Sequence, residues 1–284
     1  MYLALTSASG APGVSTTALG LALQRQQTTH TLLVEADPVG SSPTIAGFLR
    51  SEVVHDRSLK NLINAQRHGD LRPAFPTQAL VLPDTQVSVL PGLIHAGQAA
   101  AMRSTWAPLG ESLTRFSEQH GQTIVVDAGR MGHEDGPVEL LRRADLIGVV
   151  VRPTLPKIAA VKSALVPLMR DLATHKARAR IGLLVIGSGF EFGADTYTAG
   201  EIAKAVSDNL GTTIELIATL PDLPREARAL SEGVPMSRWR PRRLLYQRAL
   251  RRCWHDIEEF CDRHDPPWLD RTPQPRPAAA GVPR

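Results

Sequence analysis

Short apolar runs alternate with longer amphipathic stretches along most of this chain. Runs such as "YLALTS", "HTLLVEAD", "QTIVVDAG" and "RIGLLVIG" have the largely apolar character of strands that are buried on both faces. Between the runs, apolar residues recur at helical spacing, as they do at Ala18, Leu21 and Ala22. This alternation predicts an α/β domain with three layers, in which helices cover both faces of a mostly parallel central sheet.

The same pattern sets the expected bounds of the helices and of the domain. Helices are expected over 16–27, 56–68, 97–120 with an interruption at Pro108, 136–143, 155–175, 198–210, 225–232 and 242–263. The last helix carries Leu250, Trp254 and Ile257 as an apolar stripe, which should pack on the domain. The last twenty residues contain six prolines and few apolar residues, so 265–284 is expected to be a disordered tail after a domain that spans 1–264.

Positive charge is concentrated near the end of this domain. The whole chain of 284 residues has a formal net charge of only +4, which by itself indicates little about partners. A cluster of arginines nevertheless lies in and just before the last helix: Arg238, Arg240, Arg242, Arg243, Arg248, Arg251 and Arg252. The cluster would bind DNA phosphates or an anionic membrane surface, unless it is only a solvated helix face.

Other features limit the classes of protein that the sequence can encode. No stretch reaches 18 consecutive apolar residues, so no transmembrane helix is expected, and no secretory signal is recognisable at the start. Cys253 and Cys261 would lie roughly 12 Å apart along one helix, too far for a disulfide. Reduced cysteines fit a cytoplasmic protein. The arginine cluster would allow such a protein to associate peripherally with the membrane or the nucleoid.

The stretch "SASGAPGVSTTALGL" joins the first predicted strand to the first predicted helix. Gly10 and Gly13 permit a tight turn, and backbone N–H groups at the start of a helix can hold an anion. Between Met1 and Gln24, however, there is no lysine or arginine that could add a full positive charge. A plain strand-to-helix turn with a hydroxyl cap is the alternative interpretation.

Two further apolar runs end in acidic residues. "VEADP" contains Glu35 and Asp37, and "VVDAGR" contains Asp127 followed by Arg130. Because the carboxyl ends of parallel strands meet at one edge of a sheet, these residues and the loop are expected to share one site. An acid at a strand end can also be a helix cap or a solvated turn residue.

In their order along the chain, these motifs resemble those of the MinD/ParA family of deviant Walker A ATPases, including its CpaE/TadZ branch. "SASGAPGVSTTALGL" is similar to the family's S-x-K-G-G-x-G-K-[ST]-T loop, "LLVEADPVGSS" to its switch I segment and "IVVDAGR" to its Walker B strand. "VSVLPG", "ADLIGVVVRPTLPKIAAVKSAL" and "IATLPDLPREARALSEGVP" stand where the family has similar strings. The resemblance covers about residues 1–240 and implies a P-loop NTPase-like fold.

The resemblance also implies roles for the matching residues. Nucleotide would be bound by Gly10, Ala11, Pro12, Gly13, Val14, Ser15 and Thr16, with Arg130 near the γ-phosphate. The metal set for Mg²⁺ would be Ser15, Asp37 and Asp127. In catalysis, Asp37 would orient the attacking water.

Two lysines of the family pattern are missing from the loop, because Ser9 and Val14 occupy their positions. In the family, one lysine contacts the phosphates within its subunit and the other reaches across a nucleotide-sandwich dimer. A charge-assisted hydrogen bond contributes roughly 1.5–3 kcal/mol, so each absence would weaken ATP binding about ten- to a hundredfold. The family's adenine-contacting asparagine is also missing, since Gly187 and Ser188 stand there.

The expected function is that of a MinD/ParA-like P-loop protein with weak or absent ATP hydrolysis. ATP and Mg²⁺ would bind weakly, and the protein would be a positional or regulatory scaffold in division, partition, secretion or pilus assembly. Its partners would be a second copy or a related ATPase, together with that machinery. One alternative is an active ATPase in which Arg130, Arg152 or a partner subunit supplies the missing charge. Another is a DNA-binding partition protein that uses the arginine cluster.

Overall fold

The computed structural model describes residues 1–10, 13–25, 29–67, 71, 74–187, 198–234 and 241–264. The tail expected over 265–284, and with it the end of the domain, lies outside the described residues and stays a prediction. Arg238 and Arg240 also lie outside them, as do Ala11 and Pro12 of the loop.

One sheet organises the described part of the chain. Its eight strands are β1 (Tyr2–Ser7), β2 (Thr31–Glu35), β3 (Leu80–Val81), β4 (Val87–Leu90), β5 (Thr123–Arg130), β6 (Leu146–Val151), β7 (Arg180–Ile186) and β8 (Glu215–Leu220). They lie side by side in the order β3-β4-β2-β5-β1-β6-β7-β8. Only the short edge strand β3 is antiparallel to its neighbour. The predicted α/β fold with a mostly parallel sheet is therefore confirmed.

Helices connect the parallel strands. They are α1 (Val14–Arg25), α2 (Leu59–Arg67), α3 (Ala74–Gln78), α4 (Ala99–Met102), α5 (Trp106–His120), α6 (Val138–Arg143), α7 (Leu155–Thr174), α8 (Ala199–Leu210), α9 (Pro224–Ser231) and α10 (Pro241–His264). A single π-helical turn covers Thr44–Phe48 and a 3₁₀ turn covers Ala96–Gln98. Helix α1 begins two residues earlier than predicted, because the carbonyl of Gly13 already accepts the N–H of Thr17 at 2.9 Å.

The interruption predicted at Pro108 was wrong in its position. The break between α4 and α5 lies at residues 103–105, and Pro108 is the third residue of α5. Proline is tolerated there because the first N–H groups of a helix have no intrahelical partner to lose.

Alternating residues of each strand face two separate cores, which explains the continuous apolar runs. In β1, Tyr2 and Ala4 join one cluster, while Leu3 and Leu5 join the other. The first cluster is covered by helices that include α2, α5, α6, α7 and α8, and the second by α1, α9 and α10. The three predicted layers are thus present.

Helix α10 lies on α1 and β8 with its apolar stripe inward. Leu250, Trp254 and Ile257 are all buried. A Cβ at Gly20 of α1 would lie 2.9 Å from the Leu250 side chain, so the two helices are in close contact at this point. Neither of the two cysteines of this helix forms a disulfide. Within the described ranges, no helix is long and apolar enough to cross a bilayer.

Candidate functional site

The loop after β1 forms a tight turn into α1 at the carboxyl edge of the sheet. Gly13 has a φ of +104°, which only glycine adopts without strain. The side chain of Ile186, at the end of β7, would lie 3.4 Å from a Cβ at this position. The first N–H groups of α1 have no intrahelical acceptors, so this end of the helix can hold an anion. Of the predicted loop residues, Gly10, Gly13, Val14, Ser15 and Thr16 lie at this turn.

Asp127 lies beside the loop on the neighbouring strand β5. Its carboxylate is buried and accepts hydrogen bonds from the Ser15 hydroxyl and from the N–H of Gly129 at 3.0 Å. The pKa of Asp127 is raised to about 7, mainly by burial; the charges of Asp37 and Glu35 contribute to the rise, while the two hydrogen bonds oppose it. The hydroxyl and the carboxylate that were predicted as metal ligands are therefore in direct contact.

Asp37 faces the same strand end from the segment after β2. Its carboxylate accepts the N–H of Val39 at 2.9 Å and packs against the Cα of Gly129. A Cβ at Gly129 would overlap this carboxyl group, and the φ of +61° also favours glycine. The close approach of β5 to Asp37 therefore depends on the glycine of "VVDAGR".

This donor set fits Mg²⁺ but not a metal held by protein alone. One hydroxyl and one carboxylate in contact, with a second carboxylate close by, are typical of Mg²⁺ sites that are completed by water and phosphate oxygens. No group of three or more histidine, cysteine, aspartate or glutamate residues suited to a metal occurs in the described ranges. Ser15, Asp127 and Asp37 are thus the residues that would hold Mg²⁺ together with a nucleotide.

Glu35 has a different environment, although the sequence grouped it with the site acids. It is buried, and its carboxylate accepts the Ser42 hydroxyl and the N–H groups of Thr44 at 2.8 Å and Gly92 at 3.1 Å. Burial raises the pKa of Glu35, and these hydrogen bonds oppose that rise. Its oxygens hold two loops in place rather than facing the turn at Gly13.

The whole chain was compared with known proteins, and its fold matches that of solved structures. No protein-family model matches the chain, and no curated protein matches its sequence. Among solved structures, apo McdA from Cyanothece superposes with a TM-score of 0.68 at 18% identity, over 91% of this chain and 98% of that one. MinD from Pyrococcus horikoshii with Mg-ADP gives 0.66 at 13%, over 91% and 96%. A ParA family ATPase from Chlorobium tepidum gives 0.62 at 15%, over 89% and 98%.

This chain has the fold of the MinD, ParA and McdA ATPases. The family's loop pattern has lysines at two positions, and in this chain the residues at those positions have different environments. Val14 is buried in the core cluster on the α1 side of the sheet. Ser9 is half-buried, and its carbonyl accepts the Ser7 hydroxyl at 2.9 Å. The loop is thus stabilised by apolar packing and an internal hydrogen bond at the two positions where the family pattern has lysines.

A lysine from elsewhere in the MinD/ParA-like fold reaches the loop, and the sequence did not single it out. The Nζ of Lys157, in the first turn of α7, donates to the carbonyl of Gly10 at 2.8 Å. The two residues are 147 positions apart. They meet because β6, which precedes α7, pairs with β1. A lysine just after the strand "DLIGVVV" was the available signal, but only the strand order shows that it lies beside the loop.

The two arginines that could replace the charge of the missing lysines differ in their contacts. Arg152 donates to Asp222 at 2.5 Å and is thus engaged in an ion pair between the ends of β6 and β8. Arg130 is exposed, and no ion pair or hydrogen bond of its side chain occurs within the described residues. Arg130 is therefore the arginine that remains available.

The arginine cluster extends along the outer face of α10, far along the chain from the loop. Arg248, Arg251 and Arg252 are exposed. The side chains of Arg242 and Arg243 lie outside the described part of the chain. Two acids of the second half of α10 have basic partners, since Glu258 pairs with Arg25 at 2.6 Å and Glu259 lies 3.2 Å from His255.

Proposed function

We propose that this chain binds ATP and Mg²⁺ weakly at the loop and acts as a positional or regulatory scaffold. The observation that carries the proposal is the contact of Lys157 with the loop carbonyl of Gly10, beside the Ser15–Asp127 pair. The site thus retains the backbone turn, a cation and the residues for Mg²⁺. It differs from the family pattern in the origin of the cation, which comes from α7.

Two physical reasons favour weak binding. A helix N-terminus contributes only about half a unit of positive charge, while Asp37 and Asp127 both lie at the site and repel a triphosphate. Bound Mg²⁺ would supply the charge that compensates both the phosphates and the carboxylates. Ser15, Asp127 and Asp37 would hold it, and Asp37 would also orient the attacking water.

Slow hydrolysis follows from the same geometry. Phosphoryl transfer depends mainly on positioned positive charge around the transferred group. Lys157 is a single cation on a flexible stem, and it touches the loop through a carbonyl. Such a group can increase affinity more readily than it can organise a transition state. Nucleotide would therefore serve as a switch ligand more than as a substrate.

The positional role is inferred from what the structural neighbours are. They include a septum site-determining MinD, a MinC:MinD cell division complex and a plasmid partition protein bound to AMPPNP. We infer a comparable role for this chain, as a homodimer or together with a related ATPase, in division, partition, secretion or pilus assembly. The partner protein would recognise the nucleotide-dependent state of the segments that contain Asp37 and Arg130.

Calorimetry with Mg-ATP tests this proposal. Lys157→Ala should weaken binding about ten- to a hundredfold, because a charge-assisted contact is lost. Lys162→Ala is the matched control, since Lys162 is an exposed lysine one and a half turns further along α7. Equal affinity of both variants and the unmodified protein would contradict the role of Lys157.

Turnover of ATP above about 1 per second, a usual enzyme rate, would instead favour the active ATPase. Loss of that turnover in Arg130→Ala would identify Arg130 as the residue that replaces the missing lysines.

The exposed arginines of α10 support a second candidate function, which is binding to nucleic acid. Each phosphate neutralised by an arginine releases a counterion, so affinity should fall steeply with salt. Charge reversal at Arg248 and Arg251 should weaken binding to all DNA sequences alike and flatten the salt dependence. Reversal at Arg115, an exposed arginine on α5, serves as the control. Unchanged DNA retention after the α10 reversal would leave only a solvated helix face.

A further inference from the structure

A cavity of about 360 Å³ lies between helix α7 and the segment that connects β5 to α6. Its floor is apolar and consists of Ala128, Met131, Leu141 and Leu168, each at most 9% exposed. The volume lies within the range of sites for small organic ligands, which are commonly lined by apolar side chains with a few polar groups. The cavity is thus of a suitable size and chemistry to bind a small ligand with an apolar body.

Most polar groups at the rim already have partners in the protein. The Thr6 hydroxyl donates to the carbonyl of Gly129 at 3.0 Å. Asp171 accepts two hydrogen bonds from Arg142, at 2.6 and 2.7 Å. Glu134 accepts a hydrogen bond from Arg103 at 2.9 Å. Both acids of the cavity are therefore neutralised by arginines that lie outside its lining.

Arg130 is the exception among the charged groups of the rim. It is exposed at the mouth of the cavity, and its guanidinium has no ion pair within the described residues. The helix α7 beside this cavity contains an internal proline, Pro167. Proline has no N–H, so the carbonyl of Ser163 cannot accept the usual helical bond from position 167. Both of these residues of α7 line the cavity.

We propose that this cavity binds a small organic carboxylate with an apolar chain. The chain would lie on the floor formed by Met131, Leu141 and Leu168, and the carboxylate would pair with Arg130. An arginine offers two parallel N–H donors that match the two oxygens of a carboxylate. An uncharged apolar ligand would leave this guanidinium without a partner. Binding of the carboxylate does not depend on the proposed nucleotide function; only its role as an effector rests on that function.

The position of the cavity couples it to the candidate nucleotide site. Arg130 follows Asp127 by three residues on β5, and Met131 donates its N–H to the carbonyl of Ser7 at the start of the loop, at 2.8 Å. A ligand that fixes Arg130 at the cavity would hold this arginine away from a nucleotide on the loop. The carboxylate would thus be an effector ligand rather than a substrate.

Methyl NMR of the protein labelled at its five methionines tests the proposal directly. The Met131 signal, assigned with Met131→Leu, should shift with hexanoate along a saturable curve. Affinity should rise about fourfold for each methylene from butyrate to hexanoate, as burial of an apolar group predicts. 1-Hexanol should bind about tenfold more weakly than hexanoate, because it cannot pair with the guanidinium.

Variants separate the two parts of the site. Arg130→Gln should weaken hexanoate about tenfold and leave hexanol unchanged, whereas Arg170→Gln, on an exposed arginine of α7 outside the lining, should affect neither. Ala164→Phe should fill the cavity and abolish both shifts, with its ligand-free spectrum as the test of folding. No Met131 shift at about 10 mM hexanoate, a concentration that would reveal even millimolar binding, would overturn the proposal. Equal affinities of hexanoate for Arg130→Gln and the unmodified protein would overturn it as well.

Discussion

The carboxyl ends of β2 and β5 place two buried acids directly opposite each other, yet the acids serve different purposes. Glu35 and Asp127 are partners in the register of the two strands. Glu35 accepts hydrogen bonds from three residues of two loops, whereas Asp127 accepts them from the site hydroxyl of Ser15 and from a glycine two positions away. Burial alone therefore does not distinguish the two acids. The origin of the donors does, since Glu35 holds the scaffold and Asp127 contacts Ser15, the other proposed ligand of Mg²⁺.

The largest expected effect concerns the pH dependence of stability in the absence of metal. The pKa of Asp127 is raised from 3.8 to about 7, so between these values the folded state binds a proton that the unfolded state has lost. Stability should therefore fall by about 4 kcal/mol as pH rises from 4 to 7, and remain level above that.

Asp127→Asn should remove this part of the pH dependence. Urea unfolding in EDTA at several pH values measures it, as the difference between the two proteins. Parallel stability curves for Asp127→Asn and the unmodified protein would show that Asp127 is ionised already at low pH.

The next largest effect concerns the contribution of Glu35 to the stability of the fold. Glu35→Ala leaves the buried N–H groups of Thr44 and Gly92 without their acceptor, which should cost about 3 kcal/mol of unfolding free energy. Glu52→Ala, at an exposed glutamate, should change stability by less than about 0.5 kcal/mol. A loss at Glu35 as small as the loss at Glu52 would mean that water replaces the carboxylate in these bonds.

A pair of glycines tests how closely the two strand ends must approach. Gly129 and Gly132 both have positive φ, at +61° and +83°, but only a Cβ at Gly129 would meet Asp37. Gly132→Ala should cost about 1 kcal/mol from backbone strain. Gly129→Ala should cost about 2 kcal/mol more and weaken Mg-ATP binding, because the Asp37 carboxylate is displaced. Similar denaturation midpoints for the two variants would show that Asp37 moves aside freely.

The smallest effect concerns the hydroxyl that distinguishes Asp127 from Glu35. Ser15→Ala removes a hydrogen bond that favours the charged form of Asp127, so the pKa of Asp127 should rise further, at a cost of about 1 kcal/mol at neutral pH. Thr16→Ala is the control, because the Thr16 hydroxyl contacts Ser231 at 2.9 Å instead. Carboxyl ¹³C NMR follows the titration, and an unchanged titration in Ser15→Ala would place this hydroxyl away from Asp127 in solution.

The sequence alone determined the fold class and the edge of the sheet at which a site would lie. Strands buried on both faces are largely apolar throughout, and the helices between them carry an apolar stripe at helical spacing. Both patterns can therefore be recognised in short stretches of sequence. The turn at Gly13 and the acids at positions 37 and 127 were predicted as one site because they follow these strands and match the family motifs. The sequence did not predict the short strand β3, the π-helical turn at Thr44–Phe48 or the position of the break before α5, because short elements depend on neighbours distant in sequence.

Only the tertiary structure decided what the charged groups do. It brought Lys157 onto a loop 147 residues away, engaged Arg152 with Asp222 and left Arg130 at the mouth of a cavity. It also separated Glu35 from Asp127 in function, although both end apolar strands. The physical reason is that a charge acts over a few ångströms on whatever lies beside it, and its neighbours are fixed by strand order and loop packing. Hydrophobic pattern along the chain records which residues are buried, but not which buried residues meet.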